Sequence, residues 1–163
     1  MKIVINPFDP KSIANAVRMV NQYEKEFAAK ETEFVRRLKE LGVSVATGIF
    51  SMADYDGVND VLIAETQAGS RAAVIAYGEA VGFIEFGTGV KFHEYPSAGL
   101  EFKPPAHGTY GKGKGANPKG WYYKPGEGAA GRHTYGNPPA EAMLTARDTM
   151  IAQVVAIARE VWK

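Results

Sequence analysis

The chain has no cysteine among its 163 residues. That removes a disulfide framework and any thiolate zinc site from the ways it can hold its fold, and it fits a reducing compartment. Long apolar runs are missing too. The opening Met1-Lys2-Ile3-Val4-Ile5-Asn6-Pro7 falls short of a signal-peptide apolar region of ~7–15 residues. No later stretch approaches the ~18 apolar residues of a membrane span. The sequence therefore predicts a protein that is neither exported nor membrane-spanning. Charge of one sign is also lacking: 19 Lys and Arg stand against 18 Asp and Glu, so no global field points to nucleic acid or an anionic membrane. Histidine is scarce, with only His93, His107 and His133. None sits at a short ligand spacing, and they read as surface or interface side chains rather than a metal site.

What is present is enough for a core. With 45% hydrophobic residues, a chain of this length is expected to fold as one domain, 1–163, without staples. Asp9-Pro10 is a helix start, because the Asp carboxylate accepts backbone N–H groups that lack helical partners and Pro suits the first helical position. Ile13, Val20, Phe27, Phe34 and Leu41 recur every seven residues behind it, and Gly42 offers a stop, so the spacing predicts a helix over 10–41. Val61-Leu62-Ile63-Ala64 and Ala72 to Tyr77, flanking Gln67-Ala68-Gly69-Ser70, predict a β-hairpin. Ala80, Phe83 and Ile84 suggest a short helix between 79 and 86, with strand as the alternative. Asn137-Pro138-Pro139 reads as the opening of a final amphipathic helix carrying Met143, Leu144, Met150, Ile151, Val154, Val155, Ile157, Val161 and Trp162. The expected fold class is α+β: a long N-terminal helix and a C-terminal helix on a small, mostly antiparallel β-sheet, with an extended Gly-rich arm.

Two features strain that outline. A 32-residue helix is roughly 48 Å long, whereas a compact globule of this length, with a radius of gyration near 15 Å, is only about 40 Å across. The helix either breaks, near Ala28-Ala29, or overhangs its own domain and packs on another copy. The second is the arm, 90–136, longer than the ~15 residues usual for irregular loops. It holds eight of the 18 aromatics, namely Phe92, Tyr95, Phe102, Tyr110, Trp121, Tyr122, Tyr123 and Tyr135, a composition of recognition surfaces rather than of disordered tails. Seven basic residues, including Lys112 and Lys114, against three acidic ones give it a net charge of +4, while 58–89 carries one basic against four acidic residues, −3. A basic arm reaching an acidic neighbouring sheet is one arrangement this allows. Phe27, Phe34, Tyr110, Lys112, Lys114, Trp121, Tyr122 and Tyr123 are the expected interface residues.

No catalytic constellation emerges, and no enzyme, cofactor or metal is expected. Gly108-Thr109-Tyr110-Gly111-Lys112-Gly113-Lys114-Gly115 comes close to a phosphate-binding P-loop, but Gly115 has no hydroxyl for magnesium and no buried strand precedes the run. Ser51, Ser70 and Ser97 lie in no nucleophile elbow. Glu24, Glu26, Glu31 and Glu33 read as a solvated helix face laced with Lys25 and Lys30.

The run Tyr77-Gly78-Glu79-Ala80-Val81-Gly82-Phe83-Ile84-Glu85-Phe86-Gly87-Thr88-Gly89, a glycine-rich insertion, Trp121-Tyr122-Tyr123, and Gly136-Asn137-Pro138-Pro139-Ala140 before the last helix together carry a resemblance. The chain resembles the head-tail joining, or tail-completion, proteins of long-tailed phages and prophages. The order of elements matches over nearly its whole length, and Glu85, Phe86, Gly87, Thr88 and Gly89 are the most specific residues. Many relatives have roughly Pro-Phe-Met after the Pro-containing turn, where this chain has Ala140-Glu141-Ala142-Met143 and only Met143 matches. The resemblance implies a subunit without a reaction that forms a homo-oligomeric ring at the neck between portal and tail. It would meet connector, tail-terminator or tail-tube proteins, with genomic DNA passing through its lumen without sequence-specific binding. It would be made in the bacterial cytoplasm and end in the virion neck or tail. Locally, Gly87 and Gly89 read as turn glycines and Phe86 as core. The alternative from the residues alone is a nucleic-acid-binding protein that stacks bases on the basic aromatic arm, 90–136.

Overall fold

The structure is a computed structural model that describes residues 3–55, 57, 59–89, 117–124, 128 and 130–163. Tyr110, Lys112, Lys114 and most of the arm lie outside the described residues. In chain order the elements are α1 (Pro10–Phe50), β1 (Leu62–Ala68), β2 (Arg71–Tyr77), α2 (Val81–Phe86), β3 (Trp121–Tyr123), β4 (Arg132–Thr134) and α3 (Ala142–Val161). The α+β class and the small antiparallel β-structure agree with the sequence.

α1 begins where the sequence says it should: the Asp9 side chain accepts from Lys11 N at 2.9 Å and Pro10 opens the helix. It neither breaks at Ala28-Ala29 nor stops at Gly42 but continues to Phe50, 41 residues in all. Gly42 is helical because its missing side chain admits α3; a Cβ there would lie 2.7 Å from Met150 Sδ. The actual end is held by Asn59, whose Nδ2 donates to the carbonyls of Phe50 at 2.7 Å and Ala53 at 2.9 Å. These bonds tie the turn that follows the helix, in which Ala53 N also donates to the Phe50 carbonyl at 3.1 Å.

α3 runs antiparallel along the C-terminal part of α1. Its first turn meets Ala46 and Phe50 through Ala142 and Ala146. Its last residues reach Phe34 and Phe27, whose ring centroids lie 5.3 and 6.2 Å from that of Trp162. Arg37 Nη1 donates to Glu160 at 3.0 Å across the seam. The core consists of Ala46, Phe50, Ala80, Ile84, Ala142 and Ala146; small side chains let α1, α2 and α3 approach closely. Tyr55 stacks on Phe83 at 4.4 Å beside it.

β1 and β2 pair antiparallel from Leu62↔Tyr77 to Ala68↔Arg71. One face lies on α1: Lys39 Nζ donates to Glu65 at 2.9 Å, Gln67 Nε2 to the Thr32 carbonyl at 3.0 Å, and Val35, Leu38 and Val74 share a groove with Met150. α1 therefore covers the hairpin, with Met150 of α3 joining at that groove. The arm ends in a second hairpin, with Trp121↔Thr134, Tyr122↔His133 and Tyr123↔Arg132. No helix among the described residues is long and apolar enough to cross a membrane.

Candidate assembly interface

Four of the five residues most specific to the resemblance, Glu85, Gly87, Thr88 and Gly89, form one internal clasp, and Phe86 is half-buried rather than core. Glu85, only 4% exposed, sits in the last turn of α2 and points at the start of α3. Met143 N donates to both its carboxylate oxygens, at 3.2 and 3.0 Å, and Leu144 N to one of them at 3.2 Å. α3 needs this remote cap. Its own N-cap position is Glu141, in the left-handed region at φ 55° with no capping side chain, and the two prolines expected to open the helix lie ahead of it. A buried carboxylate aimed at free helical N–H groups satisfies them and the positive end of the helix dipole together.

The bonds are reciprocal. Ala140 N donates to the Ile84 carbonyl at 2.8 Å and Glu141 N to that of Glu85 at 3.3 Å, so the segment before α3 caps the end of α2. Thr88, also 4% exposed, continues the clasp: its N–H donates to the Asn137 carbonyl at 2.8 Å and its Oγ1 accepts from Asn137 N at 2.9 Å. Asn137 Nδ2 donates to the Asp54 carbonyl at 2.9 Å. Here two backbones touch. Gly89 (φ 84°) and Gly136 (φ 104°) face each other so closely that a Cβ on either would sit about 2.0 Å from Tyr135 O or 1.9 Å from Thr88 O. The glycines are required by approach as well as by φ. Asp60 fixes the other end of α2, accepting from Glu79 N at 2.6 Å and Ala80 N at 2.9 Å. The Ala80 and Glu79 N–H groups hold its carboxyl below the ordinary range.

The residues expected at an interface separate into two places. Phe34 lies within the α1–α3 seam, whereas Phe27 is half-exposed at its end. Beyond Phe27, α1 continues for 17 residues, Pro10 to Glu26, or roughly 25 Å. Along that stretch only Ala16 is buried, while Ile13, Val17, Val20 and Tyr23 are between 44% and 54% exposed. The second place is the β3–β4 hairpin. Tyr122, among the most exposed aromatics, packs edge-on against His133 at 4.9 Å, and His133 Nε2 donates to the Lys119 carbonyl at 3.0 Å. Trp121 and Lys124 join Tyr55, Thr88 and Asn137 around a cavity of about 230 Å3, and Tyr123 pairs with Arg132. Phe27 and Trp121 are not brought together.

The solvated acidic face of α1 is only partly free. Arg36 and Arg37 both donate to Glu33 at 2.7 Å, and hydrogen bonds from Arg36 first and Arg37 second pull its carboxyl down to about 2. Among the described residues no group of three His, Asp or Glu side chains is placed to hold a metal ion. Asp60, Asn59 and the capping role of Glu85 were not singled out from sequence. The signal for Glu85 was an acid embedded in Val81-Gly82-Phe83-Ile84-Glu85-Phe86, a setting in which a carboxylate must find partners. No family model, no curated protein and no solved structure matches the chain.

Proposed function

We propose that this chain is a structural virion-assembly subunit of the head-tail joining, or tail-completion, kind, forming a ring at the neck between portal and tail. The observation that carries the reading is the α1 overhang. A helix that leaves its own core for 17 residues with Ile13, Val17, Val20 and Tyr23 uncovered has no use for that apolar face in an isolated protomer. The aromatic and basic β3–β4 hairpin offers a second contact surface. The Glu85–Gly89 clasp supports the reading differently: it anchors both ends of the arm, so the arm can carry contacts without loosening the body. Partners would be further copies of the chain and connector, tail-terminator or tail-tube proteins, with DNA passing through the lumen. The site of action would be the host cytoplasm and then the virion neck, with no reaction, cofactor or metal involved.

Interrupting the gene in the phage or prophage that carries it tests this. Filled heads and tails should accumulate as separate particles in electron micrographs of the lysate. Joined virions would refute the reading. Joined particles that have lost their DNA would favour nucleic-acid binding by the arm instead.

A further inference from the structure

The β1–β2 hairpin carries apolar side chains on both faces, and its outer face is the more apolar of the two. Side chains alternate along a strand, so with Glu65, Gln67 and Val74 turned to α1, the outer face carries Leu62, Ala64, Thr66 and Ala68 opposite Tyr77, Ile75, Ala73 and Arg71. An antiparallel hairpin with one solvated face is normally polar on it. Here Leu62, Ile75 and Tyr77 are 57%, 45% and 49% exposed, and Arg71 is the only charge. On the α1 overhang, Ile13, Val17, Val20 and Glu24 fall at i, i+4, i+7 and i+11, one helical face. Further along, the same face carries Val35, Leu38 and Gly42, the residues that meet the hairpin within the protomer.

We propose that in the free protein the Ile13–Val17–Val20–Glu24 face of one copy lies on the outer face of the β1–β2 hairpin of a second copy, and reciprocally, in a two-fold dimer. Each surface is apolar with one charge at one end, and the charges are opposite: Glu24 and Arg71, neither of which has an ion-pair partner among the described residues. The spacings agree. Glu24 back to Ile13 is roughly 17 Å along a helix, and Arg71 to Tyr77 is roughly 20 Å along a strand. With Glu24 on Arg71, Val20 meets Ala73, Val17 meets Ile75 and Ile13 meets Leu62 and Tyr77.

The two-fold follows from direction. Within a protomer α1 runs from the hairpin tip, where Thr32 meets Gln67, toward its base, where Gly42 approaches Val74. The visiting helix runs from base to tip. Antiparallel α1 helices are what a two-fold axis produces, so both contacts form at once. Each hairpin then lies between two helices, which covers the apolar side chains on both of its faces. The dimer belongs to the chain itself and needs no virion partner, so it stands or falls separately from the neck reading.

Light scattering of the purified full chain across a dilution series should give twice the 17.6 kDa protomer mass; a monomer throughout overturns the dimer. Because the chain has no cysteine, cross-linking is clean. An oxidised mixture of Val20→Cys and Ala73→Cys chains should yield a covalent heterodimer, and neither variant should cross-link alone. Covalent dimers from Val20→Cys alone mean that overhangs pair with overhangs and overturn the proposal. Glu24→Arg and Arg71→Glu should each raise the dimer dissociation constant about tenfold or more through like-charge contact, and the double reversal should restore it. Circular dichroism identical to wild type shows that the variants fold. A folded double variant that stays as weak as the singles also overturns the proposal.

Discussion

Replacing Glu85 by Ala takes away the acceptor for two backbone donors at the start of α3, Met143 N and Leu144 N. The environment decides the magnitude. Glu85 and Leu144 are buried, so water reaches the vacated site poorly, and a buried N–H without a partner costs about 1–3 kcal/mol. Loss of a helix cap by itself costs about 0.5–2 kcal/mol, a figure that already contains part of the first. We expect Glu85→Ala to destabilise the chain by about 3 kcal/mol, which for a protein of this size lowers Tm by roughly 6–12 °C. Glu85→Gln keeps one carbonyl oxygen and loses the charge, so about 1–2 kcal/mol is expected. Urea unfolding of the three proteins at one fixed concentration, with equal m-values, gives the comparison. A cost under 1 kcal/mol for Glu85→Ala would refute the capping role, and Gln as damaging as Ala would show that shape rather than hydrogen bonding holds the site.

Gly89→Ala and Gly136→Ala should each impair folding severely, since both sit at positive φ with a carbonyl where the Cβ must go; a soluble variant with unchanged Tm would contradict the clasp geometry. Phe34→Ala should cost about 3 kcal/mol by emptying the seam against Trp162, and Phe27→Ala clearly less because Phe27 is already half-exposed; equal losses in thermal melts would count against the seam ending there. Glu33 is held down to about 2 by Arg36 and Arg37, so its contribution is complete above its ordinary value of 4.5 and disappears as pH falls toward 2. The stability gap between wild type and Glu33→Gln should therefore be widest near neutrality, close on acidification, and shrink in high salt because the pairs are exposed. A gap that is flat with pH would exclude the ion pairs as its source.

Local signals in the sequence located elements well and long-range ones poorly. Asp9-Pro10 marks the α1 start because a cap is a contact between residues two apart. Gly42 misleads for the opposite reason: its small size answers to Met150, 108 positions away, and Val43, Val45, Ala46, Ile49 and Phe50 continue the helical pattern beyond it. The start of α3 is displaced from Asn137-Pro138-Pro139 to Ala142 because its capping carboxylate comes from α2. The overhang was legible from length alone, since a helix longer than the globule must leave it. Which of its faces matches which surface became visible only once β1 and β2 showed what they turn outward.

The Thr88–Asn137 clasp bridges a separation of 49 positions. It closes the arm at its root, between the end of α2 and the segment that leads into α3. Doubling a flexible loop costs only about 0.6 kcal/mol. For a loop rooted this way a change in length costs little in closure entropy, so what such a change costs α1, the β1–β2 hairpin and α3 is set by contacts such as those of Trp121 and Lys124 beside Tyr55.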